Sequence, residues 1–123
     1  MKEYYACLSK REKEQQQTNK EYHKKIEQRL QKSLIEITNR FPAIKKIIIF
    51  GSYLNDRFNK NSDLDLYIEE ITGEDFYNIK RILEDKLEID VDIYTQTDSQ
   101  EFIDKIKERG EILYEREANN FNS

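Results

Sequence analysis

The sequence predicts an α/β domain (α+β in layout), a small mixed β-sheet with helices packed on it, and three observations predict it. A helical apolar period runs from Tyr22 to Phe41. Strand-like segments follow at Ile44–Phe50, Asp63–Ile68 and Ile89–Tyr94, and a helical period comes after each of the last two. Strands alternating with helices in this way build a sheet covered by helices.

Residues 1–20 carry little periodicity and run into the charged, Gln-rich EKEQQQTNKE, which reads as a flexible or helical arm outside the core. From Tyr22, the residues Ile26, Leu30, Leu34, Ile37 and Phe41 recur at intervals of three or four, giving one apolar face with Pro42 as its stop. Ile44–Phe50 is dense in β-branched residues, too short for an ordinary helix and closed by Gly51-Ser52, so it reads as a buried strand. The stretch from Ser52 to Asp63 is rich in Asn and charge and reads as a surface loop with a helical turn around Tyr53–Phe58.

Asp63–Ile68 alternates polar and apolar residues as a half-buried strand does. Thr72 with Asp75 resembles a capping box, opening a helix whose Phe76, Ile79, Ile82, Leu83 and Leu87 face inward. Alternation returns at Ile89–Tyr94, with Asp90 and Asp92 on the face opposite the apolar residues. A last helix starts near Ser99, shows Phe102, Ile103 and Ile106, gathers Lys105, Lys107 and Arg109 toward its end and stops at Gly110. Glu111–Glu115 adds a short edge strand, so the domain spans 21–116 and leaves 117–123 as a disordered tail.

At 123 residues the chain matches one domain, with no internal repeat or linker. Lys plus Arg number 21 against 25 Asp plus Glu, a net charge of -4, so no global basic field exists to hold a nucleic acid backbone. The mean hydropathy of -0.95 is polar, yet the content of Ile, Leu, Tyr and Phe is too high for a wholly disordered chain. Cys7 is the only cysteine and the N-terminus lacks an apolar leader, which predicts a cytosolic protein. The longest apolar run, Ile47 to Phe50, is far below the roughly 20 residues that span a bilayer, so no membrane role is expected.

Asp63 and Asp65, two apart on a strand, leave the same face about 7 Å apart. Carboxylates that close repel each other unless a cation compensates, and Mg²⁺ is the simplest one, because it takes one or two carboxylates and fills the rest of its shell with water and phosphate. A third carboxylate on a neighbouring strand, Asp92 or Asp90, completes a ligand set for two ions. On spacing alone, the same aspartates equally suit the solvated face of a half-covered sheet. Gly51-Ser52 adds weight to the site, since a glycine after a buried strand admits phosphate to the backbone and a serine supplies an N–H and a hydroxyl.

Taken together, Phe50-Gly51-Ser52, ten further residues, Asp63-Leu64-Asp65-Leu66, a helix, and Val91-Asp92-Ile93 resemble the nucleotidyltransferase superfamily, specifically its minimal MNT branch. The resemblance covers about Tyr22 to Glu115. It implies the polymerase-β-like nucleotidyltransferase fold, two Mg²⁺ ions, ATP as substrate and transfer of AMP to a hydroxyl, expected to be a tyrosine of a HEPN-type toxin that the protein neutralises as antitoxin. By the same resemblance Gly51 and Ser52 hold the triphosphate, Asp63 and Asp65 bind both metal ions, and Asp92, whose Val91-Asp92-Ile93-Tyr94 segment matches better than Asp90, binds the metal at the nucleophile. The family commonly continues Gly-Ser-x-Ala-Arg-Gly, whereas this chain has Gly51-Ser52-Tyr53-Leu54-Asn55-Asp56, without the arginine and second glycine. Arg57 and Lys60 are the cations at hand to replace the lost charge, and the departure keeps a second expectation open, an antitoxin that acts by binding alone. Homo- or hetero-oligomers are both compatible with this reading.

The remaining chemistry-bearing residues read as ordinary. His23, the only histidine, is expected on an exposed helix without a partner and receives no role. Arg11 and the N-terminal lysines are interleaved with Glu3, Glu12 and Glu14, which favours a solvated arm over an RNA contact, and Tyr4 and Tyr5 read as surface or packing residues.

Overall fold

The computed structural model describes the backbone of residues 2–116 and the side chains of residues 19–116. The tail read over 117–123 and the side chains of Tyr4, Tyr5, Cys7 and Arg11 lie outside the described residues.

Helix α1 spans Lys2–Arg40, so the N-terminal arm and the first helix of the domain are one continuous helix about 58 Å long. Its apolar stripe of Ile26, Leu30 and Ile37 is buried against the sheet, and Pro42 follows its end. Strand β1 (Lys46–Phe50) leads into a 3-10 turn over Gly51–Leu54. Strand β2 (Leu64–Glu69), helix α2 (Gly73–Leu87) and strand β3 (Val91–Thr95) then form a β-α-β unit. Helix α3 (Gln100–Arg109) and strand β4 (Glu111–Glu115) close the fold.

Local chemistry accounts for the helix starts. The Thr72 hydroxyl accepts a hydrogen bond from the Asp75 amide, and the Ser99 hydroxyl accepts one from the Phe102 amide, each satisfying a first-turn N–H. The helix α3 stops at Gly110 as expected, for a steric reason. Its φ is -80°, open to any residue, but a Cβ there would lie 2.5 Å from Ile48 Cγ2 and 2.7 Å from the Ile106 carbonyl oxygen. Glycine is required by the close passage of the chain beneath β1.

The sheet order is β3-β2-β1-β4, with β1 antiparallel to β2 and β4 and β2 parallel to β3. On one face Ile47, Ile49, Leu64, Leu66, Ile68, Val91 and Ile93 pack against α1 and α2. On the other, α3 covers Ile48 and Tyr67 with Ile103 and Ile106. Because successive strand residues alternate between faces, Asp65 shares the α3 face with Tyr67, and Asp92 shares it with Tyr94. The expected α/β sandwich on a small mixed sheet is the fold observed.

The loop after the turn is better anchored than its polar composition suggests. Tyr53 and Phe58 are buried, their rings 5.1 Å apart at centroid, and they dock the segment onto α1. His23 corrects the reading of an exposed, partnerless side chain. It is half-buried, stacks on Tyr53 with centroids 4.0 Å apart, and its Nε2 lies 2.9 Å from the Tyr53 carbonyl oxygen. That carbonyl can only accept, so the proton sits on Nε2. The partner is 30 residues away in sequence, out of reach of any local pattern.

Candidate active site

Two adjacent cross-strand rows build the site. Ile48, Tyr67 and Tyr94 stand opposite one another across β1, β2 and β3, and α3 covers this row. The next row on the same face is Phe50, Asp65 and Asp92, with Asp65 paired to Phe50 on one side and to Asp92 on the other. The two carboxylates therefore meet across a parallel pair, both half-buried. Asp63 is exposed and immediately precedes β2. Asp90 is exposed and precedes β3, and its backbone carbonyl accepts from the Leu64 amide at 3.0 Å.

Gly51 closes the site from the turn. Its φ of +79° is left-handed, where glycine carries no steric cost, and a Cβ built there would stand 2.2 Å from Asp65 Oδ2. The backbone thus passes directly beside the carboxylate. The Ser52 carbonyl accepts from Asn55 N–H at 3.0 Å and tightens the turn, and the first N–H groups of such a turn have no partner within it.

Electrostatics marks Asp65 as the focus. Burial, followed by the like charges of Asp92 and Asp63, pushes its carboxyl up to about 6 from an ordinary 3.8. None of the three carboxylates has a salt-bridge partner among the described residues. Tyr94, two residues after Asp92, is raised by burial and then by the nearby charges of Asp65, Asp92, Asp98 and Asp63. Phe50, Tyr94 and Phe102 form an aromatic floor beside the aspartates, with centroid separations of 5.4, 5.1 and 6.0 Å.

Among the described residues no three His, Cys, Asp or Glu side chains converge into a ready-made metal-ligand group. The donor set still suits Mg²⁺, which needs only one or two carboxylates and is otherwise satisfied by water and phosphate. The uncompensated charge around Asp65 is what a divalent cation would relieve. Arg57 and Lys60 are exposed and make no side-chain ion pair among the described residues. A groove of about 410 Å³ lies elsewhere, on the α1 side of the turn between His23, Lys24, Tyr53 and Leu54. None of the predicted aspartates lines it, so it is set apart from the carboxylate chemistry.

Comparison with known proteins agrees with this layout. A profile of the family described as "Polymerase beta, Nucleotidyltransferase" matches residues 32–119. Among solved structures, the fold is similar to a chain in a toxin–antitoxin crystal structure with AMP-PNP, at 21% identity and a TM-score of 0.61, covering 70% of this chain and 73% of that one. It is also similar to a chain in the complex of a tri-AMPylated Shewanella oneidensis HEPN toxin with its MNT antitoxin, at 20% identity and a TM-score of 0.51, covering 80% and 73%. A putative nucleotidyltransferase from Sulfolobus solfataricus gives 16% identity and a TM-score of 0.55, covering 83% and 91%. A comparison with curated proteins finds no match. With the glycine turn, the facing aspartates and a family profile that spans most of the chain, this protein belongs to the polymerase β nucleotidyltransferase family.

Proposed function

We propose that this protein is an Mg²⁺-dependent nucleotidyltransferase that moves AMP from ATP to a hydroxyl of a HEPN-type toxin and so acts as its antitoxin. The observation that carries the reading is the row in which Asp65 faces Asp92 with Gly51 against the Asp65 carboxylate. The similar toxin–antitoxin structure with AMP-PNP and the complex containing an AMPylated HEPN toxin support the nucleotide and the acceptor.

In this reading Gly51 and Ser52 hold the triphosphate, since the backbone at Gly51 is bare of side chain and the turn opens there. Asp63 and Asp65 would hold the two metal ions, and Asp92 would join them as a ligand of the metal at the nucleophile. Bound Mg²⁺ supplies charge neutralisation on the phosphates and lowers the pKa of the acceptor hydroxyl. The protein's own part is positional: β2 and β3 present the carboxylates opposite one another, with the Phe50, Tyr94 and Phe102 rings packed beside them. The acceptor oxygen forms a bond to the α-phosphorus, the bond from that phosphorus to the bridging oxygen breaks, and pyrophosphate leaves while the hydroxyl proton passes to solvent.

A protein acceptor fits a net charge of -4, which repels a nucleic acid backbone. Tyrosine is the favoured side chain, because its hydroxyl, with a pKa near 10, loses its proton more readily than an aliphatic one. Labelled ATP with Mg²⁺ should place label on a co-purified toxin, adding the mass of one AMP or a small multiple, and Asp92→Asn should abolish it. The absence of the family's arginine favours a second reading, in which the protein neutralises its partner by binding and leaves the partner's mass unchanged.

A further inference from the structure

β3 is one of the two edge strands of the sheet, yet its edge is occupied at one rung. In a parallel pair, alternate residues of a strand bond to the neighbour while those between point their N–H and C=O away from it. The Leu64 amide bonds to the Asp90 carbonyl at 3.0 Å, so the amide and carbonyl of Val91 face the free edge. Both are taken by side chains of α2. Glu84 Oε2 accepts from the Val91 amide at 3.0 Å, and Lys80 Nζ donates to the Val91 carbonyl. The two side chains are also paired with each other at 3.2 Å, each about one-third exposed.

We infer that Lys80 and Glu84 are positioning residues: together they replace one rung of an absent fifth strand and so hold Asp92, the next residue, in register with Asp65. Three features favour this over an ordinary helix ion pair. Lys precedes Glu at i,i+4, the weaker order for helix stabilisation, so the pair is poorly placed for that purpose alone. Each side chain matches the polarity of the backbone group it meets, carboxylate to N–H and ammonium to C=O. The N–H of Val91 is also the leading cause that holds the Glu84 carboxyl below its usual range, ahead of the pairing with Lys80.

The kinetic consequence rests on the nucleotidyl-transfer reading, whereas the clamp itself does not. The test is the double exchange Lys80→Glu with Glu84→Lys, which keeps an i,i+4 ion pair on α2 but sets carboxylate against C=O and ammonium against N–H. We expect a folded protein in which the Val91 amide exchanges with solvent at least about tenfold faster. At saturating Mg²⁺-ATP, kcat should fall roughly 10- to 100-fold with KM changed less than threefold, since misplacing a catalytic group costs rate more than binding. Glu84→Gln keeps an acceptor for the Val91 amide and should recover most of the rate, which a charge effect on α2 would not do. Unchanged kcat in the exchanged protein, or a loss seen only in KM, overturns the inference. Should the wild type show no transfer, the enzymatic reading fails by itself, and the clamp is decided in metal-free protein by Val91 exchange and by nuclear Overhauser contacts between the Asp65 and Asp92 backbones. Their survival in the exchanged protein overturns it.

Discussion

The Asp65 carboxylate fills the space in which a side chain at position 51 would stand, 2.2 Å from where a Cβ on Gly51 would lie. The strand that carries Asp65 and the turn at Gly51 are therefore fitted to one another, and neither residue can grow without displacing the other.

Gly51→Ala should accordingly destabilise the protein by about 1–3 kcal/mol, through a left-handed φ and through the clash. Adding Asp65→Ala removes the clash and leaves the φ strain, so the double variant should lose less than the sum of the single losses. Urea denaturation of the four proteins in the cycle measures this, and strict additivity would separate the two residues.

Metal-free stability should depend on pH through Asp65. Its folded-state carboxyl is pushed up to about 6 while the unfolded chain titrates at an ordinary 3.8. Between those values the native state binds more protons than the unfolded one, so the contribution of Asp65 to stability falls as pH rises and is at its worst above pH 6. Asp65→Asn should be more stable than wild type at pH 7.5 by on the order of 1 kcal/mol, allowing for solvent screening of a half-exposed group, and the gap should close toward pH 4. Denaturation curves in the presence of a chelator check the sign, and a gap that widens in acid would contradict it.

Asp92, and not Asp90, should be needed for transfer. Asp92 is paired with Asp65 across β2 and β3, whereas Asp90 precedes the strand and contributes its backbone carbonyl. Asp92→Asn should lower the rate by ~10²-fold or more, and Asp90→Asn should leave it within a few-fold. The opposite pattern in a labelled-ATP assay would move the site by one pleat.

Asp63→Asn combined with Asp65→Asn should remove Mg²⁺-dependent binding of a nonhydrolysable ATP analogue while the fold persists, because repulsion around Asp65 is relieved. Calorimetric titration reads this directly. Equal affinity in wild type and the double variant would eliminate these aspartates as the metal ligands.

His23→Ala should cost about 1–2 kcal/mol, the worth of a half-buried ring stack and one hydrogen bond. His23→Phe keeps the stack, leaves the Tyr53 carbonyl without its donor and should fall between. An alanine variant as stable as wild type would remove His23 from the supports of the Gly51–Leu54 turn.

What the sequence by itself determined follows from short-range chemistry. Apolar periods of three to four set the domain part of α1 from Tyr22 together with α2 and α3, alternation set β2 and β3, the β-branched run set β1, and Thr72 and Ser99 marked helix starts because a cap acts over three residues. Gly51-Ser52, Asp63, Asp65 and Asp92 were legible as a motif because their spacing is written along the chain. Their meeting was decided by tertiary structure. Burial of Leu64, Leu66, Val91 and Ile93 against α1 and α2 turns Asp65 and Asp92 to the opposite face, and the parallel register sets them opposite one another. A one-residue slip would reverse the face of every side chain on the strand, which packing forbids, whereas Asp90 and Asp92 share a face and are told apart only by the parallel pairing that sets Asp92 opposite Asp65. The stacking of His23 on Tyr53 and the hold of Lys80 and Glu84 on Val91 arose the same way, since each joins groups that meet only after the helices have docked on the sheet.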